Sequence, residues 1–211
     1  MERVLWIVVL LLGVVAGSGE VSGAAGAGPA FRGRWRPVMG AGAVYQVQQK
    51  GEPTATWEMA VVGQEGNGWW VETRMNIPEE VISKILMTDG GVERFVVKAA
   101  SQPAMELPAV QAQGVPQTGV EKTGALVGRE SVTTPAGTFL CEHYRVQDGG
   151  GASDIWVTEA VSPYGVVKMV GPEITLTLAK TLTGATTRIR ETPQKIAMPA
   201  MGDVSKMLGS D

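Results

Sequence analysis

Cys141 and His143 are the single cysteine and the single histidine of this 211-residue chain, and they stand two positions apart. On a β-strand that spacing puts both side chains on one face. There an imidazole could take the thiol proton and leave a nucleophilic thiolate. The competing reading is a packing site, since cysteine behaves as a small apolar side chain and Phe139 shares the same alternation. Tyr144 and Val146 are apolar on the opposite alternation, which implies a bulge or burial on both sides. Packing is the favoured reading.

Other chemistry finds less support. A zinc site needs three or four close ligands, and with one Cys and one His the remainder would fall to carboxylates. Met198, Met201 and Met207 supply thioethers of the kind that suit Cu(I), but a disordered tail that carries methionines accounts for them better. Glu79 and Glu80 are adjacent, so on a strand they point apart and do not form a glycosidase pair. No nucleophile elbow, phosphate-cradling loop or dinucleotide fingerprint occurs after the leader. The expectation is a protein with no catalytic residue, no metal site and no cofactor.

The elements that must position these residues are strands. From Gly42 onward the hydrophobic period is mostly two. Tyr45 and Val47 alternate with glutamines, and Gly51-Glu52-Pro53 turns the chain. Trp57, Met59 and Val61 then alternate with Thr56, Glu58 and Ala60. After Gly66-Asn67-Gly68, Trp69, Val71 and Met75 alternate with Trp70, Glu72 and Arg74, which predicts a hairpin and three antiparallel strands in all. Val81 to Met87 also suits a helix, with Pro78 and the two glutamates near its start. A strand is preferred there, because Asp89-Gly90-Gly91 and the β-rich Phe95-Val96-Val97 complete a hairpin. Ser101 to Thr123, rich in Gln, Pro and Gly, reads as a long loop with room for a short helix. Strands are expected again over Leu126 to Thr134, Thr138 to Gln147, Asp154 to Thr158 and Gly165 to Val170. Glu173 to Thr183 is the clearest amphipathic strand and is expected to close the sheet. No repeat appears at a solenoid or propeller period.

The amino terminus supplies a compartment. Met1-Glu2-Arg3 and the apolar run Val4 to Leu12 have the order of an export signal. That run is too short for a bilayer span, which needs about twenty residues. Small-residue cleavage sites stand at Ala16-Gly17-Ser18 and Ala25-Gly26-Ala27; the second is favoured. An uncleaved anchor is the alternative, since Glu2 offsets Arg3. The expected organisation is a signal peptide over 1–27, a flexible arm over 28–41, one β domain over 42–192 and a disordered tail over 193–211. No second long apolar run predicts a transmembrane span after the leader, and the protein is expected in the periplasm or outside the cell, with association to the outer envelope open. A lone cysteine excludes an intramolecular disulfide. The net charge of −3 leaves no footprint for nucleic acid, and Arg32, Arg34 and Arg36 read as a solvated terminal arm.

Two stretches carry a resemblance: "GRESVTTPAGTFLCEHYRV" from Gly128 to Val146 and "DIWVTEAVSPYGVVKM" from Asp154 to Met169. This pattern resembles exported bacterial proteins of uncharacterised families that look like the LolA/LolB lipoprotein-carrier superfamily. The match covers about a fifth of the chain and consists of turn and core residues. The resemblance implies a curved antiparallel half-barrel with one or two short helices. In the residues themselves, Pro135-Ala136-Gly137 is a tight strand connection. Ser162 to Gly165 is a second turn, with Trp156 and Tyr164 expected to pack on either side of it.

The leading expectation is a noncatalytic carrier whose concave sheet face, lined by Trp57, Met59, Val61, Trp69, Val71, Met75 and Leu176, holds a lipid or other apolar ligand. The alternative is an envelope interaction protein whose sheet is internally filled. Its exposed edge strands, or the loop from Ser101 to Thr123, would then meet a protein partner. An open apolar cavity favours the first, and a plugged sheet with an outer apolar patch favours the second.

Overall fold

The computed structural model describes residues 35–76, 79–89, 91–112, 125–148 and 151–195. The expected leader, Arg32, Arg34, Pro78, the remainder of the long loop and the tail methionines lie outside them. Alternating apolar residues and short glycine turns build successive strands: β1 (Gly42–Gln49), β2 (Ala55–Glu65), β3 (Gly68–Asn76), β4 (Glu80–Thr88) and β5 (Gly91–Ala99). Val81 to Met87 is thus a strand, paired on both sides. Inside the expected loop the chain forms a short strand β6 (Met105–Leu107) and a single 3-10 turn over Ala109–Ala112.

The second half adds β7 (Ala125–Thr134), β8 (Gly137–Asp148), β9 (Gly151–Val157), β10 (Val166–Val170), β11 (Ile174–Leu182) and the two-residue β12 (Gln194–Lys195). All lie in one open sheet of order β12-β6-β5-β4-β3-β2-β1-β11-β10-β9-β8-β7. Every pairing is antiparallel except β12 with β6. The amphipathic strand β11 does not close the sheet. It sits inside it between β1 and β10, joining the two halves, and its apolar residues Leu176 and Leu178 match Val47 and Tyr45 in register. The edges are β7 and β12.

The sheet is curved. In a flat sheet β7 would stand about 14 Å from β10 and about 19 Å from β11, yet Cα atoms of β7 approach both within 8 Å. Curvature and pleat divide the side chains into two sets. The larger core runs across β1–β5 and the second half, and includes Tyr45, Met59, Val71, Ile85, Phe95 and Leu178. On the other side of β3–β5, Trp70, Ile82, Leu86 and Val96 form a smaller cluster with Ile189. We call these the inner and outer faces. A bulge between Val61 and Gly63 lets β2 keep Val61 opposite Val71 and Gly63 opposite Trp70.

The segments flanking the sheet are docked against it. Trp35 stacks on Tyr164 with ring centroids 5.1 Å apart, and the Arg36 amide donates to the Pro163 carbonyl at 2.7 Å. Residues 35–38 therefore lie against the turn that contains the cis Ser162–Pro163 bond, and Gly40 bonds instead to Val61 and Ala185. Tyr164 is buried beside this turn, whereas Trp156 stacks on His143 instead. No helix among the described residues is long and apolar enough to cross a membrane.

Candidate functional site

The seven residues expected to line an apolar face occupy one side of the sheet. Register pairs Trp57 with Met75 and Val61 with Val71, with Met59 between them opposite Thr73. Trp69 stands opposite Met87, and Leu176 lies two strands from β2, opposite Val47 of β1. Their exposure separates them. Met59, Val61, Val71 and Leu176 are 4% exposed or less, while Trp57, Trp69 and Met75 are half-buried. The four buried residues fill the core rather than line an open cleft.

Cys141 and His143 follow different fates. The Cys141 thiol is buried and donates to the carbonyl of Phe139, two residues back, at 3.6 Å. Burial, with the Glu130 carboxylate adding to it, pushes the thiol up to about 11. Both nitrogens of His143 face carboxylates: Nε2 lies 2.8 Å from Asp154 and Nδ1 lies 3.2 Å from Glu130. Its ring stacks on Trp156 at 4.4 Å, and the Lys168 ammonium stands 5.3 Å from the Trp156 ring. Asp154 also takes two hydrogen bonds from Arg145, which hold its carboxyl below the usual carboxylate range. The group is a polar patch in which both imidazole nitrogens face carboxylates rather than the thiol. Phe139 and Tyr144 both pack against core residues, so β8 is covered on both alternations, as the sequence implied.

One feature went unassigned in the sequence. Strand β7 pairs with β8 on one side and ends the sheet on the other. Leu126, Val127 and, on β8, Leu140 are 57%, 54% and 69% exposed. Leu126 stands opposite Tyr144 and Leu140 opposite Ser131, so both share one alternation of the hairpin. Between them Arg129 pairs with Glu142 at 2.9 Å. Along Ala125–Thr134 only Thr134 is buried, so the strand has no buried face of its own, as an edge strand does not need one.

The described residues also form surface grooves, two of which lie beside charged groups. One, of about 310 Å³, lies between the β1–β2 and β10–β11 turns and is lined by Gln48, Lys50, Glu52, Pro172 and Glu173 among others. The other, of about 290 Å³, lies on the outer face between Glu58, Glu72 and residues 185–188. Both are bordered by charged groups. Among the described residues no cluster of three His, Cys, Asp or Glu groups could hold a metal ion.

No known family pattern matches the chain, and no curated protein matches it. Solved structures similar to it include a candidate lipoprotein from Parabacteroides distasonis at 11% identity and TM-score 0.36, covering 71% of this chain and 98% of that one. A candidate exported protein with a YmcC-like fold from Bacteroides fragilis is 11% identical with TM-score 0.32, covering 71% and 99%. MucB, solved in complex with the periplasmic part of MucA, is 14% identical with TM-score 0.38, covering 75% of this chain and 56% of MucB. Likenesses of this degree assign no function.

Proposed function

We propose that this chain is an exported, noncatalytic protein-interaction module of the cell envelope that receives an extended segment of a partner protein along β7. The observation that carries this reading is the outer edge of β7, which among the described residues pairs with no further strand and is flanked by exposed Leu126, Val127 and Leu140. An edge strand presents unpaired backbone donors and acceptors, and native proteins usually blunt it with lysine, proline or a covering loop. Here the charged residues of β7 are the adjacent Arg129 and Glu130, one of each sign, and both are already paired within the sheet. A partner strand would gain main-chain hydrogen bonds from β7 and would cover the leucines on one face.

The filled core supports this reading over a carrier. A lipid chain needs an open apolar volume, and Met59, Val61, Val71 and Leu176 spend their surfaces on one another and on the core around them. Export is supported by the leader-like order of residues 1–16. Absence of catalysis is supported by the sealed thiol and the fully committed imidazole.

The test combines native mass spectrometry with a triple substitution, Leu126→Lys, Val127→Lys and Leu140→Lys. The purified protein, incubated with a panel of bacterial phospholipids, should keep its apo mass. The triple variant should keep the wild-type unfolding midpoint, since these side chains are already in water, and should lose in-cell crosslinks to envelope proteins. A stoichiometric phospholipid adduct would instead return the function to the Trp57, Trp69 and Met75 side of the sheet.

A further inference from the structure

After β11 the chain crosses the outer face from β2 to β6 before forming β12. Residues 183–193 contain no regular element, and Ile189 is the one buried residue of 183–195. Contacts along its whole length seat this strap. Ile189 enters the apolar cluster of Trp70, Ile82, Leu86 and Val96. The Glu72 carboxylate, 4% exposed, accepts the Thr187 hydroxyl at 2.6 Å and the Arg188 amide at 3.0 Å. The Arg188 guanidinium reaches Glu58 at 2.6 Å, and beyond it Glu191 meets Lys98. Gln194–Lys195 then pair with Met105–Glu106 in parallel, closing the β6 edge.

These contacts have the character of a bound peptide rather than of a core element. A hydroxyl, a cation and a branched apolar side chain occur at consecutive positions of a segment that bends at Arg188, and each meets a matching feature of the sheet. The sheet beneath needs none of them for its own pairing, since β2 to β5 are hydrogen-bonded to one another and packed on the inner face. The strap does not fill its seat, for a groove of about 290 Å³ remains between it and β2–β3.

We propose that the outer face of β2–β5 is a second peptide-binding site, occupied in cis by the chain's own segment 183–195, and that this strap detaches as a unit to vacate it. The site takes segments of the type Thr-Arg-Ile, whose hydroxyl is read by Glu72, whose cation is read by Glu58 and whose apolar anchor is read by the Trp70 cluster. With the strap docked, the outer cluster and the β6 edge are covered. With it released, the sheet presents an apolar patch and a second free edge. This site is independent of β7, so its test does not touch the reading of that edge.

Two measurements on the full-length chain decide the matter. In native-state hydrogen exchange of the wild type, the Arg188 and Gln194 amides should exchange at least about 100-fold faster than paired amides of β3 and β4, because they open without global unfolding. Equal rates would make the strap part of the cooperative core and overturn the proposal. The second measurement uses a fluorescent synthetic peptide of residues 183–195. It should bind an Ile189→Asp protein saturably and bind the wild type at least about tenfold more weakly, because the resident strap competes. The same peptide carrying Ile189→Asp should bind neither. Thr187→Val combined with Arg188→Ala, which leaves Ile189 in place, repeats the test should Ile189→Asp fail to fold. Equal peptide binding to wild type and variants, or binding to none of them, would overturn the proposal.

Discussion

At the scale of single residues, the environment of a group decides its chemistry more than its type or spacing does. The pair of Cys141 and His143 was legible in the sequence as a same-face pair. The commitments that disable it were not, because they come from Glu130 and Asp154 on other strands. The thiol, buried and pushed up to about 11, should react with a disulfide reagent at pH 7 to 8 at least about 100-fold more slowly in the native protein than in denaturant. A native rate near the unfolded one would show an open, activated cysteine. Glu58 gives a second residue-scale expectation. Its desolvation raises its carboxyl, but hydrogen bonds and charge from Arg188 and Arg74 overcome this and hold it below the usual range. A carboxyl depressed by folding adds stability above its unfolded pKa, and that contribution fades as pH falls through the folded value. Denaturant unfolding followed from pH 7 down to pH 3 should therefore show the wild type losing its advantage over Glu58→Gln by about 1 kcal/mol. An advantage that holds constant through this range would contradict the assigned pairing.

At the scale of elements, period-two alternation revealed nearly every strand, including β4, where helical spacing competed. It could not reveal strand order. The β11 side chains Leu176 and Leu178 mark a strand with one buried face, and such a pattern is the same whether the strand closes a sheet or joins its halves. Nor could it reveal β6, whose three residues are too few to show a period, or the strap, whose single anchor Ile189 has no repeat. Close approach between strands is testable by adding one methyl group. A Cβ on Gly42 would lie 2.3 Å from the Met59 carbonyl oxygen and 2.8 Å from the Ala60 Cα, both backbone atoms that cannot step aside. Gly42→Ala should cost about 1–3 kcal/mol in chemical denaturation. At Gly128 on β7 a Cβ meets nothing within 4 Å, and Gly128→Ala should stay within about 0.5 kcal/mol of wild type. Equal effects at the two sites would mean that β1 and β2 are not in the register described.

At the scale of the whole molecule, the twelve strands of the described residues form one open sheet with two edges, and the chain treats them differently. Its own segment 194–195 covers β6, while β7 ends the sheet with leucines on its hairpin exposed. The half-barrel architecture was anticipated from the sequence. The balance between carrier and interaction module was not, because Trp57, Met59, Trp69 and Val71 read identically whether they fill a core or line a cleft. Packing settles which of them touch one another, and that information resides in the curvature of the sheet rather than in any single strand. In the proposed function, β7 is the edge that meets a partner. The most direct measurement places a photo-crosslinking amino acid at Val127, and separately at exposed Lys50 on the far turn, in the intact exporting cell. Discrete protein adducts from position 127 that vanish when Leu126 and Leu140 are changed to lysine, with none from position 50, are the predicted result. Adducts from both positions alike, or a phospholipid adduct with no protein adduct at position 127, would contradict it.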